Sequence, residues 1–310
     1  MFKHTKKILT VLLCITLMLS LTCCSNKSIE FSSNNVTSEN IVGSIPLVSQ
    51  NSENKMIVHY IDVGQGDCIF VELPNQETLL IDAGTSKGYS CIIPYIEKLG
   101  YCVIDYVVAT HPHADHIGSM SKILQKFKVN NFFMPECFPK TKMFVNMLNT
   151  VKLKEIPIYL GKMGMVITEQ DDLFVEVLSP MDFRYSNINN YSLVIKIDYG
   201  ESEFLFTGDA ETLIEQELLD YEVDVDSDIL KVGHHGSNTS SSKAFIENVS
   251  PDIAIISCGI NNKYNHPHTE TIQTFMNQDI EYYRTDELGT VIIEADKDEN
   301  FLVITQKGDN

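Results

Sequence analysis

The sequence predicts a mixed α/β domain in which sheets and helices pack in layers. Three observations predict this class: short β-rich segments dominate residues 55–83, helical segments follow them, and the second half of the chain repeats the scheme. Runs of β-branched residues between turn signals are typical of strands, and apolar residues three and four apart are typical of helices. Because sheets and helices each bury one face against another layer, this order favours a layered domain.

The first half begins with three predicted strands, KMIVHYIDV, DCIFVEL and ETLLIDA, separated by Gly-Gln-Gly and Pro-Asn-Gln turns. The segment GYSCIIPYIEKLG has helical spacing and ends on Gly100, a plausible C-cap. CVIDYVVAT then predicts a buried strand, and IGSMSKILQKF predicts a helix. The histidine-rich segment HPHADH lies between them, at the carboxyl end of the strand.

The second half alternates strands and helices in the same way. Strands are predicted near 165–167, 174–178, 192–199 and 203–207, followed by the helix AETLIEQELLD, the strand DILKV, a helix near 242–248, the strand DIAIIS, a helix near 269–276 and terminal strands. We therefore expect a site where the ends of strands from both halves meet.

Composition and charge narrow the class of partner. The chain is 44% hydrophobic and 21% charged, which is typical of a globular protein, and its net charge is −19 from 23 basic and 42 acidic residues. Such a balance repels nucleic-acid phosphates unless metal ions or a local basic patch reverse it. No basic cluster follows the first seven residues. We expect no stable sequence-specific DNA binding.

The amino terminus is predicted to be a signal peptide spanning residues 1–23. Lys3, Lys6 and Lys7 precede an apolar run from Ile8 to Leu21. This run of about 14 residues is shorter than the ~20 that cross a bilayer. A retained transmembrane anchor is the alternative.

The ending LTCC resembles a bacterial lipoprotein signal, in which Cys24 receives the lipid; Cys23 is the alternative site. Residues 24–54 are rich in Ser and Asn and predict a flexible tether, so the folded domain is predicted at 55–310. This organisation predicts an extracytoplasmic protein bound to the bacterial cell membrane by a lipid anchor, with a secreted form as the alternative.

The remaining cysteines predict no disulfide framework. Their number is odd and their spacing is unpaired: Cys68, Cys91, Cys102, Cys137 and Cys258. Cys68 and Cys258 lie in apolar, strand-like segments, and we expect them to be buried thiols.

The segment HPHADH predicts a metal site. Imidazole and carboxylate groups are ligands that zinc and similar divalent ions prefer. His111 and His113, two apart on an extended loop, can face one ion, and Asp115 and His116 can turn to a second. The alternative is a helix-starting aspartate beside exposed histidines.

Two later segments supply further ligand types. Asp209 lies in a Gly-Asp turn between a strand and a helix, where it could also be only a helix N-cap. His234 and His235 follow another apolar strand and precede Gly236. Because each cluster follows a strand, all of them can converge on one edge of the sheets.

Other polar residues leave alternatives open. Asp62, Asp67 and Asp82 flank glycines at turns, where Asp67 can hold a metal-binding histidine or these carboxylates can only satisfy backbone amides. We expect His266 to contact substrate, whereas His268 could merely precede a helix.

The pattern of HPHADH, a later GD and a still later HHG resembles the metallo-β-lactamase superfamily. The segments HYIDVGQGDCIFVE, LLIDAG, NNYSLVIKIDYGESEFLFTGDAE, LKVGHHGSNTSS and YNHPH more closely resemble the carboxyl-terminal domain of the competence protein ComEC. Much of this set is also similar to teichoic-acid phosphorylcholine esterase. The resemblance covers about residues 56 to 305 and implies a four-layer αββα sandwich with a dinuclear metal site between its halves.

The resemblance also implies roles for individual residues. Two divalent ions, zinc or manganese, would be held by His111 and His113 on one side, by Asp115, His116 and His235 on the other, and by Asp209 between them. His234 would contact substrate. Many members have a histidine where this chain has Asn189 or Asn190, so one ion would have fewer protein ligands, with Asn190 beside them.

These residues predict metal-assisted hydrolysis. A water bridging two divalent ions loses its proton near neutral pH and becomes a nucleophile, and the ions offset charge in the transition state. Asp115 and His234 are the candidates for proton handling and oxyanion contact.

The resemblance implies a phosphodiester substrate, either a single-stranded nucleic acid or a cell-envelope polymer. Hydrolysis of a lactone or a β-lactam is an alternative, and a non-catalytic binding lipoprotein that retains the fold is another.

Overall fold

The computed structural model describes residues 54–182 and 184–307. The signal peptide predicted at 1–23, the lipid-acceptor Cys24 and nearly all of the tether lie outside the described residues. Fifteen strands are present in the described chain: β1 (Met56–Tyr60), β2 (Ile69–Glu72), β3 (Thr78–Ile81), β4 (Val103–Val108), β5 (Lys128–Pro135), β6 (Ile158–Gly161), β7 (Met165–Gln170), β8 (Leu173–Ser179), β9 (Val194–Tyr199), β10 (Ser202–Phe206), β11 (Ile229–Lys231), β12 (Ile253–Ile256), β13 (Glu281–Arg284), β14 (Val291–Ala295) and β15 (Phe301–Thr305).

Eight α-helices lie in the same residues: α1 (Tyr89–Lys98), α2 (Ala114–Ile117), α3 (Met120–Lys126), α4 (Lys142–Leu153), α5 (Thr212–Asp220), α6 (Lys243–Val249), α7 (Thr269–Asn277) and α8 (Thr285–Leu288). Two short 3₁₀ segments, Ile188–Tyr191 and Gly233–Gly236, lie in loops. No helix within 54–182 and 184–307 has the length and apolar character needed to cross a bilayer.

The strands form two sheets. One has the order β15-β14-β1-β2-β3-β4-β5-β6, and the other has the order β13-β12-β11-β10-β9-β8-β7. In the first sheet β3 to β6 run parallel, and in the second β10 to β13 run parallel; the other neighbours are antiparallel. Each sheet therefore has one parallel end, whose strands all point their carboxyl ends to the same edge.

Both faces of the central strands are buried, which explains why the strand segments are almost continuously apolar. Alternate residues such as Val58 and Tyr60 of β1 and Ile195 and Ile197 of β9 pack into the core between the sheets. Successive strand residues point to opposite faces, so the remaining side chains, such as Leu205 of β10, pack outward.

Helices cover the two outer faces. Ile96 of α1 and Ile123 of α3 pack on the first sheet, and Leu218 of α5 and Phe275 of α7 pack on the second. Helix, sheet, sheet and helix therefore form four layers, as expected. The mixed α/β class and the αββα sandwich predicted from the sequence are confirmed.

The structure adds elements that the sequence analysis did not predict, notably β5, β6 and α4. Helix α4 begins after Thr141, whose hydroxyl accepts the Phe144 N–H at 3.3 Å, and it buries Phe144, Met147 and Val151 against the first sheet. Cys68 and Cys258 are buried thiols, as expected, and burial raises the pKa of Cys258 to about 12.

Candidate metal centre

The loop after β4 holds the histidine-rich segment with its side chains turned inward. His111 and His116 are fully buried, and His111 Nε2 lies 3.0 Å from His113 Nδ1. Helix α2 starts directly after His113 and brings Asp115 and His116 round toward the second sheet. The two rings of His111 and His116 lie 4.2 Å apart, so the segment forms one side of a compact cluster.

Asp209 stands at the centre of this cluster. Its Oδ1 lies 3.2 Å from His116 Nε2 and 3.6 Å from His235 Nε2, and its Oδ2 lies 3.6 Å from His111 Nε2. The N-cap of α5 is Glu211, so Asp209 does not cap that helix. The simple helix-cap alternative for Asp209 is therefore wrong.

His234 and His235 leave the second sheet in a left-handed backbone conformation, with φ of 47° and 57°. This conformation is uncommon for residues other than glycine, and it is often found at functional sites. With this backbone conformation the two imidazole rings point in different directions. His235 is buried with its Nε2 3.6 Å from Asp115 Oδ2, whereas His234 is partly exposed with its Nε2 3.7 Å from Asp209 Oδ2.

Three buried ligand-type atoms face one another without a hydrogen-bond partner in the described chain: His116 Nε2, His235 Nε2 and Asp209 Oδ1. Buried polar atoms are otherwise almost always paired, so three together indicate a missing ligand. The ligand atoms fall into sets within 4.8 Å of one another, including His111–His116–Asp209 and Asp115–His116–His235. Imidazole nitrogens and carboxylate oxygens suit a divalent metal ion. Asp209 belongs to the first set, and its Oδ1 also lies 3.6 Å from His235 of the second.

Asp82 fixes the orientation of His116. Its Oδ2 lies 2.7 Å from His116 Nδ1, while its carboxylate accepts both the backbone N–H and the hydroxyl of Thr110, at 2.8 and 2.6 Å. A carboxylate at Nδ1 keeps the proton there and leaves Nε2 free to bind a metal ion. Asp82 thus does more than satisfy a turn, and the sequence analysis did not separate it from Asp62 and Asp67.

A second buried pair stands behind His235. Lys231, which is fully buried, donates to Asp67 Oδ2 at 2.9 Å and to the Val232 carbonyl at 2.9 Å. Asp67 Oδ1 lies 3.3 Å from His235 Nδ1, which also faces the Ser257 carbonyl at 2.9 Å. The predicted contact of Asp67 with a site histidine is present. Lys231 was missed, although a lysine inside the apolar strand DILKV was the available signal.

Opposing effects set the protonation of the cluster. Burial alone would raise the pKa of Asp209, but the charges of His116 and His235 hold it well below its usual range. Burial likewise opposes the shift of Asp67, whose pKa Lys231 and His235 lower to about 2. Burial and His116 lower the pKa of His111. The two carboxylates are therefore anionic at neutral pH and form a buried site that attracts cations.

The pKa values of His116 and His235 shift in the opposite direction from that of His111. Burial opposes the charged form of His116, yet Asp209 and Asp82 raise its pKa well above the usual value. Burial opposes the charged form of His235 too, yet Asp209 and Asp67 raise its pKa to about 9. Neighbouring carboxylates thus stabilise the charged form of both rings.

The asparagines lie beside the cluster and not within it. Asn190 Oδ1 accepts the Glu211 N–H at 3.2 Å and so supports the turn that carries Asp209; Asn189 Nδ2 donates to Glu211 Oε1 at 3.1 Å. Ser192 reaches the cluster itself, because its Oγ accepts the Asp209 N–H at 3.1 Å and lies 3.3 Å from His111 Nδ1. Sequence reasoning did not single out this serine.

Two glycines permit close approaches around the cluster. A Cβ on Gly66, whose φ is +135°, would collide with the Asp115 backbone oxygen, and a Cβ on Gly236 would lie 2.6 Å from Pro267 Cβ. These close approaches explain the glycine at position 66 of the Gly-Gln-Gly-Asp turn and the glycine at position 236 of His-His-Gly.

His266 lies at the mouth of the cluster. Its ring is 5.5 Å from that of His234 and 6.1 Å from that of His235, and its Nδ1 lies 3.5 Å from Gln65 Nε2. Burial and the neighbouring His235 lower its pKa to about 4, so the ring is neutral at pH 7. His268 caps the start of α7 through its backbone only and accepts the Asn238 N–H at 3.0 Å.

Comparison with known proteins places this geometry in a family. Residues 61–260 match the family model described as metallo-beta-lactamase superfamily. The chain is 34% identical to ComE operon protein 3 of Bacillus subtilis over 263 residues, which cover 79% of this chain and 33% of that protein. It is 30% identical to competence protein ComA of Neisseria gonorrhoeae over 251 residues, covering 77% and 32%. The chain spans about a third of the length of these relatives.

A third relative is recombination protein 2 of Haemophilus influenzae, 31% identical over 239 residues that cover 74% of this chain and 27% of that protein. Among solved structures, the CmlA β-hydroxylase from Streptomyces venezuelae is similar with a TM-score of 0.50 at 14% identity, covering 74% of this chain and 52% of that one, which supports the fold alone. The family resemblance drawn from the sequence is confirmed: the chain belongs to the metallo-beta-lactamase superfamily, and its similar relatives include competence proteins of the ComEC branch.

Proposed function

We propose that this protein is a metal-dependent hydrolase that cleaves phosphodiesters. The observation that carries the proposal is the trio of unpartnered, buried ligand atoms at His116, His235 and Asp209, which face one another at the carboxyl edge of both sheets. In open α/β sheets this edge is where ligands bind.

The chain offers ligands for two ions. One set joins His111, His116 and Asp209, and the other joins Asp115, His116 and His235. His113 lies beside the first set, with its Nδ1 3.0 Å from His111 Nε2. When bound, two divalent ions such as zinc or manganese would lower the pKa of water toward neutrality and offset negative charge on the substrate. Asp82 and the Lys231–Asp67 pair would hold the ligand rings in place for them.

We expect His234 to bind the substrate. Its Nδ1 lies 3.0 Å from the Thr239 hydroxyl, and the hydroxyl can donate to that nitrogen and leave Nε2–H free. The ring is partly exposed, unlike that of His235, so the Nε2–H can donate to a non-bridging phosphoryl oxygen. Asp115 is also partly exposed. Burial would raise its pKa, but the contact with His235 and the charge of His116 hold it well below the usual range, so the carboxylate is anionic at neutral pH.

A phosphodiester is favoured over other bonds because two ions can stabilise the charge of a five-coordinate phosphorus. The names of the relatives refer to competence and recombination, which fits a nucleic-acid phosphodiester. We therefore place a single-stranded nucleic acid first and a cell-envelope polymer second. The location that we propose is extracytoplasmic, with a lipid on Cys24 anchoring the chain to the membrane.

The test is a substrate comparison with the purified full chain. Hydrolysis of bis-p-nitrophenyl phosphate and of a chromogenic cephalosporin should be measured in manganese and in zinc, with metal content determined on the same samples. We expect turnover of the phosphodiester that Asp209→Asn abolishes and that Asp224→Asn, which changes an exposed carboxylate elsewhere on the domain, retains. Turnover of the cephalosporin alone would overturn the proposal.

A further inference from the structure

A line of aromatic rings leads from the metal centre to solvent along the loop between Gly259 and His268. The ring of His266 lies 6.1 Å from that of His235, and the ring of Tyr264 stacks on His266 with centroids 5.5 Å apart and planes 21° apart. His266 is 8% exposed, whereas Tyr264 is 47% exposed. The outer ring is therefore open to solvent, and the inner one supports it beside the site.

The backbone around Tyr264 is held by a neighbouring side chain. Asn262 Nδ2 donates to the carbonyls of Gly259 and His266 at 2.9 and 2.6 Å, and Asn262 Oδ1 accepts the N–H groups of Tyr264 and His266 at 3.2 and 2.9 Å. His268 Nε2 lies 3.1 Å from the Tyr264 carbonyl. Because the loop is braced in this way, a ligand that binds the ring has little backbone ordering to impose.

Tyr264 differs from the tyrosines that pack inside the domain. Tyr95, Tyr101 and Tyr106 each place their hydroxyl against a side chain of the core or of the sheet edge. The Tyr264 hydroxyl makes no hydrogen bond within the part of the chain that the structure describes.

A lysine accompanies this ring. Lys263 Nζ lies 4.7 Å from the centroid of Tyr264, and in residues 54–182 and 184–307 it has no carboxylate partner within ion-pair distance. Lys263 therefore carries a positive charge that no acidic side chain within these residues offsets. A phosphate would attract it, and a second cation over the same ring would be repelled.

We propose that Tyr264, supported by His266, is a stacking subsite for an unpaired nucleobase next to the phosphodiester held at the metal centre, and that Lys263 pairs with a flanking phosphate. The inference rests on the proposed function and names its substrate class. An exposed ring can stack on any base, but a base within a duplex already has both faces covered. The subsite therefore selects single strands.

The charge of the protein explains why stacking would carry the affinity. Most proteins that bind single strands attract the backbone with a basic groove. This acidic chain has no such excess, so base stacking and one lysine contact replace it. A quaternary ammonium group is disfavoured as the occupant. Sites that bind such a group enclose it with several aromatic rings, and here the positive charge of Lys263 already lies over the ring of Tyr264.

The subsite can be tested by binding, apart from turnover. The sequence contains no tryptophan, so Tyr264→Trp introduces a single fluorescent reporter at the proposed position. We expect its fluorescence to be quenched by a phosphorothioate oligothymidylate, which resists hydrolysis, and not by an abasic phosphorothioate of the same length or by a duplex. An equal response to all three probes, or none to the oligothymidylate, would refute stacking.

Affinity measurements complete the test with the full-length protein. Tyr264→Ala should weaken oligothymidylate binding about ten- to a hundredfold, with abasic binding unchanged. Tyr264→Phe should retain affinity, as should Tyr221→Ala, which removes another exposed tyrosine, 67% exposed and on a different loop. Lys263→Met should flatten the dependence of log K on log salt by about 0.7, the value for one single-strand phosphate contact.

Three results separate this inference from the proposed function. If bis-p-nitrophenyl phosphate is cleaved but Tyr264→Ala leaves oligothymidylate affinity intact, the subsite is wrong and the hydrolase stands. If Tyr264→Ala instead selectively weakens turnover of p-nitrophenylphosphorylcholine, the ring binds a quaternary ammonium group and the nucleobase assignment fails. If no phosphodiester is cleaved with either metal, the proposed function fails, whatever the binding result.

Discussion

Lys231 Nζ and Asp67 Oδ2 lie 2.9 Å apart in a fully buried ion pair, directly behind His235. A charge buried so deeply is stable only with its partner, because breaking such a pair leaves the other charge unpaired in the interior. Since Asp67 also contacts His235, the pair connects the stability of the domain with the position of one histidine of the metal centre.

The first prediction concerns this pair. Lys231→Met should lower the free energy of unfolding by about 3–5 kcal/mol and also weaken metal binding, because Asp67 would lose its cation beside His235. Urea unfolding and metal titration measure the two effects. Lys196→Met is the matched control: this lysine is also buried, but it pairs with Glu203 and Asp224, and its loss should leave metal affinity unchanged. Unchanged metal affinity in Lys231→Met would contradict a role for the pair at the site.

Asp82→Asn should test how strongly the orientation of His116 matters. The amide can donate to Nδ1 where the carboxylate accepted, so the ring proton would move to Nε2, the nitrogen that must be free to bind the metal. Loss of such a partner typically weakens metal affinity about 10- to 100-fold. Competition with a chelator measures the change, and Asp105→Asn, at a carboxylate that binds Thr78 and Asn130 instead, should have no effect on it. Equal affinities in the two variants would refute the orienting role of Asp82.

Asp209→Ala should lower total bound metal and activity together, because this carboxylate belongs to one ligand set with His111 and His116 and to another with His235. His111→Ala should remove mainly the metal on its own side, since its Nε2 is near Asp209 Oδ2 and His113. Elemental analysis of protein dialysed against limiting metal gives the stoichiometry for each variant. If Asp209→Ala still holds two ions and full turnover, the arrangement is wrong.

Stability should depend on pH through Asp228, away from the metal centre. Burial first, and then nearby acids such as Glu299 and Asp252, raise its pKa to about 6, although its carboxylate accepts the Glu203 N–H at 2.7 Å. Because this folded-state value exceeds the unfolded one, the ionised group destabilises the fold as pH rises from about 4 through 6, and the penalty is complete above that range. Asp228→Asn should therefore gain stability relative to the natural chain between pH 4 and 7 in urea unfolding. A constant difference across that interval would contradict the shift.

Fatty-acid labelling tests the anchor predicted from LTCC. The full-length chain should incorporate label, and replacing Cys23 and Cys24 together should abolish it. Replacing Cys23 alone distinguishes the two sites. Release of an unlabelled form from cells that express the natural sequence would argue for secretion.

The fold and much of the site follow from local patterns. The strand and helix segments around the HPHADH loop and the Gly-Asp turn are continuous in sequence, so their order and the two halves were predictable from periodicity. Helix α4 was not predicted, because apolar residues such as Val145 and Leu153 also lie on its exposed side and obscure the periodicity of the buried ones. The buried face of α4 can be recognised only once its packing against the first sheet is known.

The supporting residues of the site were harder to find than the ligand candidates. Lys231 and Ser192 lie in strand and loop segments, and each matters only because a residue far along the chain meets it: Asp67 for the lysine and His111 for the serine. Sequence spacing cannot report such contacts. The histidines were found because they are clustered, whereas these partners are single residues of common types.

The distribution of the site over both sheets has a consequence for the stability of the protein and for its resistance to proteolysis. Asp82, His111 and His116 follow strands of one sheet, and Asp209 and His235 follow strands of the other. A bound ion would therefore connect the two sheets, and neither sheet alone supplies the full set of ligands. A ligand that binds only the folded state stabilises it in proportion to the logarithm of its concentration over the dissociation constant. Metal starvation would therefore leave a chain that is easier to open and to proteolyse, and metal supply would control how much of the protein survives as well as how fast it works.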